Sequence, residues 1–268
     1  MIEGIEVLQE YINQYAKQHP GDPEVGKLDR WLANGRNIAE ESPARGRESL
    51  PTPEQLVLRS RFSDLETKRL VGDGGKKFVL SGTTISEQQE ARTREGKPSF
   101  WHIVNAGDLL LASREDQEVV IFPDLGRYRR LFVDGTFGKD TDTQERLVRA
   151  AGNNLADRLD LKNPLGKRTV AAILTDEAAT WSDLTFQYLG DTDNKNGIWL
   201  FGPEYAKAQG KDWVYGRTKN KTNQSGSLVA DVGHSSPAYG LHVFGWRRDW
   251  GVVPVGGPFL VVPIDTQA

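Results

Sequence analysis

Residues 228–246 read LVADVGHSSPAYGLHVFGW. Two apolar runs, 228–230 and 239–244, flank a polar stretch from Asp231 to Pro237 that contains Gly233. Short runs rich in β-branched and aromatic residues, bounded by turn formers, read as strands, so the stretch predicts two strands joined through a polar loop. Alternation along the second strand puts His242, Phe244 and Trp246 on one face and Leu241 and Val243 on the other.

The surrounding sequence repeats this character. From Asp191 to the last residue there are 11 Gly in 78 residues, with further short apolar runs at 198–201, 213–215, 251–255 and 259–264. A glycine-rich antiparallel β region is expected there. Pro254, Pro258 and Pro263 make its last strands either edge strands or strands broken by bulges, because proline cannot donate to a ladder. Asn196-Gly197 reads as a hairpin turn ahead of 198–201.

Upstream, runs at 77–80, 101–104, 109–111, 119–122 and 128–133 predict a small antiparallel sheet, with 86–97 an exposed helix or loop between two of its strands. Thr141 and Gln144 form a capping-box pattern, opening a helix with Val148, Ala151, Leu155 and Leu159 on one face, closed by Asn163-Pro164-Leu165-Gly166. Residues 169–174 read as a buried strand, while in 176–189 Trp181, Leu184 and Tyr188 suit a helix and Leu184, Phe186 and Tyr188 a strand, the helix being favoured by Gly190 as its stop.

At the other end, Ile2, Ile5, Leu8, Ile12 and Tyr15 fall on one helical face, and 27–38 predict a second short helix with Leu28, Trp31 and Leu32 inward. Residues 40–51 are a polar linker. Thr52 and Gln55 then suit a capping box for a helix carrying Leu58, Phe62 and Leu65, stopped by Gly72-Asp73-Gly74-Gly75. The expected fold class is α+β: a helical segment over 1–71, a small β region with a capped helix over 72–190, and a glycine-rich β region over 191–268 that can form one domain with 72–190.

Composition restricts the chemistry. With no Cys among 268 residues, thiolate catalysis, disulfides, Cys-ligated zinc and iron–sulfur clusters are all excluded. The single Met is residue 1, so the interior holds no oxidisable sulfur. A formal charge of -3, from 34 Lys plus Arg against 37 Asp plus Glu, supplies no long-range pull toward polyanions. The N-terminus lacks a signal peptide's basic start and apolar run, and no run of about 18 apolar residues occurs. Cytoplasmic synthesis of a soluble protein without a membrane span is expected.

Candidate chemistry is sparse. HExxH, GxSxG, dinucleotide-binding and full phosphate-loop patterns are absent. Residues 191–197 crowd oxygen ligands, but Lys195 and Asn196 stand where a calcium loop needs an oxygen ligand and a glycine. No metal and no cofactor is expected. The catalytic candidates are His242 and His234 as bases, with Asp231 or Asp249 nearby. His234 and Ser235 are adjacent in sequence, which disfavours their converging as base and nucleophile. His102, beside Trp101, resembles His242 in context.

Three stretches interleave basic and aromatic residues: Arg127-Tyr128-Arg129-Arg130; Trp213, Tyr215 and Arg217 with Lys219 and Lys221; and Trp246, Arg247, Arg248 and Trp250. Such residues can hold a phosphate backbone and stack bases, or anchor a protein partner. From Asp191 onward, however, eight basic residues meet seven acidic ones. The reading favoured by the sequence is a non-catalytic binding or structural protein, a subunit of a larger assembly such as a virion-like particle, with a protein partner or its own copies. A hydrolase or nucleic-acid-processing enzyme with a histidine base is the alternative, and a nucleic-acid-binding module the second.

Overall fold

The computed structural model describes residues 56–104, 111–125 and 131–265. The expected helices in 1–38, the linker, the Thr52 capping box and the basic stretch 127–130 lie outside these residues. The described part is α+β, as the sequence predicts, and is built on two sheets.

The first sheet contains β1 (Val57–Leu58), β2 (Lys76–Val79), β4 (Glu118–Ile121), β5 (Val170–Ile173) and β10 (Leu260–Asp265). The second has the order β3 (Phe100–Ile103), β8 (Gly240–Arg247), β7 (Leu228–Ser236), β6 (Tyr215–Lys221), β9 (Val255–Gly256). The helices are α1 (Asp64–Gly72), α2 (Ile85–Arg94), α3 (Thr141–Arg158), α4 (Ala178–Gly190) and α5 (Pro203–Ala208).

The central strands β4, β5 and β10 are buried on successive residues, as strands covered on both sides require, while β1 and β2 at the margins are partly exposed. Val120, Val170, Ala172 and Val261 join Val148, Leu155 and Ala156 of α3 in one core cluster. Helix α3 lies close because Gly152 faces β5: a Cβ there would stand 2.4 Å from the Ala172 nitrogen. On the opposite face Val119, Ile121, Leu260 and Val262 join a larger cluster with Trp181 and Leu184 of α4 and Ala230, Val232, Leu241 and Val243 of the second sheet.

Several sequence expectations change. Residues 58–62 are not helical: Leu58 pairs with Ile264, and the helix begins only where Ser63 and Glu66 cap each other. Helix α3 starts one residue early, with Asp140 accepting the Thr143 N–H, so Thr141 and Gln144 are not its cap. Gln144 is instead buried and donates to the carbonyls of Thr136 and Val255. Residues 198–201 form no strand, so Asn196-Gly197 makes a turn but no hairpin, and α5 follows where no element is expected.

Of the last two strands, β9 ends the second sheet as an edge strand, whereas β10 is not an edge. β10 pairs with β5 on one side and with β4 and β1 on the other. Pro263 is tolerated because its missing N–H falls where that second side changes partner. Its carbonyl still accepts the Arg59 N–H at 3.0 Å, while Ile264 N–H turns the other way to Thr169. Nor does β3 join the middle sheet: it runs parallel to β8 in the other one.

The polar stretch after Ala230 is strand as well. β7 continues to Ser236 because Asp231, Val232 and Gly233 keep their partners on β6 and β8, leaving 237–239 as the connection. This extension carries Asp231 and His234 into the sheet.

Candidate functional site

The second sheet has two unlike faces. Ala230, Val232, Leu241 and Val243 point to the helix-lined core. Strand alternation then turns Asp231, Gly233, His242 and Phe244 to the other side. Cross-strand register arranges that side in rows. Tyr215, Gly233, His242 and His102 stand abreast on β6, β7, β8 and β3, and Arg217, Asp231 and Phe244 form the next row.

Gly233 makes the first row work. A Cβ at this position would stand 2.4 Å from the Val214 carbonyl oxygen and 3.2 Å from Cδ1 of Tyr215. With no side chain on β7, the Tyr215 ring passes over the strand and its Oη reaches His242 Nδ1 at 2.6 Å. His242 is 1% exposed and Tyr215 5%. Burial, and then the charges His102 and His234 can carry, hold the His242 imidazole well below its ordinary pKa; burial alone lowers that of His102. A neutral ring with Tyr215 as donor carries its own proton on Nε2.

Two irregularities bring further rings to His242. The β3–β8 register slips between Phe100 and His102, so Trp101 is an extra residue, and its ring lies 5.1 Å from that of His242. β7 slips between Gly233 and Ser236, where His234 adopts φ +46°. A left-handed residue at a bulge re-aims the side chain. The His234 ring accordingly sits 6.2 Å from His242, 5.9 Å from Trp213 and 6.3 Å from Trp101. Tyr239, from the β7–β8 connection and half exposed, completes the group 5.4 Å from Trp101. His102 lies 5.0 Å from His242, so three of the chain's four histidines meet here.

The second row is an ion pair. Arg217 and Asp231 are each 0% exposed, with Nε 3.2 Å from the carboxylate. The N–H is not aimed at that oxygen, and neither Asp231 oxygen accepts a hydrogen bond. The contact is therefore charge attraction without the directional bond. Burial pushes the Asp231 carboxyl up to about 7 against the pull of Arg217. Arg217 also donates to the carbonyls of Arg247 and Trp250, holding the chain after β8.

The sequence candidates thus separate. His242 and His234 come together, and His102 joins them. Asp231 orients no histidine, since it accepts no hydrogen bond, and Asp249 pairs with Arg247 at 2.9 Å. Among the binding candidates, Tyr215 and Arg217 are buried and face inward neighbours, whereas Trp213, Trp246 and Trp250 are partly exposed. Arg248 pairs with Asp142, and Lys219 with Glu145 and Asp176, so these cations face the protein's own carboxylates. Trp101 and Tyr239 carry no motif; Gly233 within a strand pattern is the one local signal for the row.

Among the described residues, no His, Asp and Glu group of three or more is arranged to hold a metal ion. No described helix is long and apolar enough to cross a membrane. Comparison with protein-family models, curated proteins and solved structures found no match.

Proposed function

We propose that the protein is a non-catalytic binding protein, a subunit of a larger assembly, that engages its protein partner through the aromatic and histidine end of the second sheet. The observation that carries this reading is the gathering of Trp101, Trp213, His234 and Tyr239, all partly exposed, around the buried Tyr215–His242 pair. Large rings already packed on one another lose little side-chain freedom on contact, which is why such residues anchor interfaces. The salt-bridged arginines around β8 favour protein over a polyanion, because their charge is met internally.

A histidine-base enzyme has one observation in its favour: Tyr215 fixes the orientation of His242. Against it stand the burial of His242 and the absence of a carboxylate hydrogen bond from Asp231.

The test is the solution mass of the full chain by light scattering across the micromolar range, beside the Trp101→Ala/Tyr239→Ala variant. A defined oligomer, or a stoichiometric complex crosslinked through the Trp101 position, that the double variant loses is expected. A strict monomer with neither, matched by a fully folded variant, would contradict the reading.

A further inference from the structure

Beyond that reading, the clustered histidines carry a consequence of their own. Three imidazoles occupy one end of one sheet face, with ring centroids 5.0 Å (His102 to His242) and 6.2 Å (His234 to His242) apart. Each comes from a different strand: β3, β7 and β8. We propose that this cluster is a proton-operated latch, closed by the Tyr215–His242 hydrogen bond while the imidazoles are neutral and opened at the β3–β8 edge when acid protonates them.

The geometry supplies both halves of the device. In the closed state Tyr215 Oη and His242 Nδ1 lie 2.6 Å apart; in the tautomer that leaves Nδ1 bare, the phenol is the donor. Protonation at Nδ1 brings a second hydrogen into that gap, so the phenol hydrogen must turn away inside a buried site. A positive His242 also meets any charge on His102 and His234 at ring distances of 5–6 Å, in surroundings that screen charge poorly.

Among the described residues, the other titratable or charged side chains on this face are Tyr215 and Arg217 from β6, Asp231 from β7 and Tyr239 from the connection. Arg217 adds positive charge. Asp231 lies beside Arg217, which competes for its carboxylate. The element free to yield is β3, which ends the sheet and pairs with β8 alone within it. It carries both His102 and Trp101, so movement of β3 changes the surroundings of an indole.

The experiment is a pH titration of the full chain followed by tryptophan fluorescence and near-ultraviolet circular dichroism, with far-ultraviolet dichroism to mark global unfolding. The wild type is expected to show an aromatic transition below about pH 6, steeper than one proton and preceding loss of secondary structure. His102→Gln, which removes the nearest positive charge, should make that transition shallower and move it about one pH unit toward acid. Tyr215→Phe, which keeps both rings but removes the donor, should move it the opposite way. Aromatic signals that stay flat until global unfolding, or a His102→Gln titration that overlays the wild type, would overturn the proposal. Should His102→Gln fail to fold, the direction of the Tyr215→Phe shift decides by the same criterion.

Discussion

The two faces of the second sheet are made by the same strands from alternate residues, yet they are held by different physics. The inner face, with Ala230, Val232, Leu241 and Val243, is apolar contact with α4 and the first sheet. The outer face puts a buried ion pair, a phenol and three imidazoles in register on those same strands. Apolar packing is indifferent to pH and tolerant of shape-conserving change, whereas buried titratable groups are costly unless neutral or paired. The inner face accordingly gives the sheet its stability, and the outer face is where conditions can act on it.

The largest effect that would break this contrast lies in the Arg217–Asp231 row. Arg217→Met alone strands a buried carboxylate and frees two carbonyls, and is expected to cost about 3–5 kcal/mol. The Arg217→Met/Asp231→Leu double variant should lose much less, which urea denaturation of the two variants will show. If the double variant loses as much as the single, the pair is not acting as a unit.

On the inner face, Leu241→Ala should cost about 2–5 kcal/mol, and by the same amount at pH 8 as at pH 6. Denaturation at both pH values separates this loss from any on the outer face. Gly233→Ala is a sharper probe, because it adds only a methyl group. Its Cβ collides with the backbone at Val214 and Tyr215, so about 1–3 kcal/mol should be lost, and displacement of Tyr215 should change the His242 Nδ1 NMR shift.

The smallest effects are those of pH on the wild type, where two groups pull in opposite directions. His242 and His102 have depressed pKa values, so the stability their neutral forms contribute is present above about pH 6.5 and is lost as pH falls below it. Asp231 has a raised value, so its contribution is present in acid and is lost as pH rises through about 7. The two contributions therefore oppose each other between about pH 4 and pH 7 and both level off above it, so Asp231→Leu in the Arg217→Met background should remove the part that falls as pH rises and leave the part that rises.

Much of the fold could be read from local pattern. Helix α3 has a clear periodicity and stop, β5 reads as a buried run, and the alternation of His242, Phe244 and Trp246 against Leu241 and Val243 is written directly in β8, whereas α4 is buried nearly all round and its spacing suits helix or strand. What escaped the sequence depends on partners far along the chain. β3 joins β8, some 140 residues away, and Pro263 lies between two partners that only the assembled sheet defines. The site was half legible for the same reason. His242 and His234 could be singled out by type, but the bulges that turn Trp101 and His234 toward them have no residue signature, since a bulge is a mismatch between two strands. Arg217 reads as a surface cation until Asp231 is seen across from it.

The most direct test of the outer face is histidine ring nitrogen and proton NMR on the full chain, assigned with single His→Gln variants. His242 should remain neutral from about pH 8 to below pH 6, with Nδ1 bare and hydrogen-bonded and Nε2 protonated, while Tyr215→Phe alters its Nδ1 shift. A His242 ring that titrates near its ordinary 6.5 and ignores Tyr215→Phe would contradict the account.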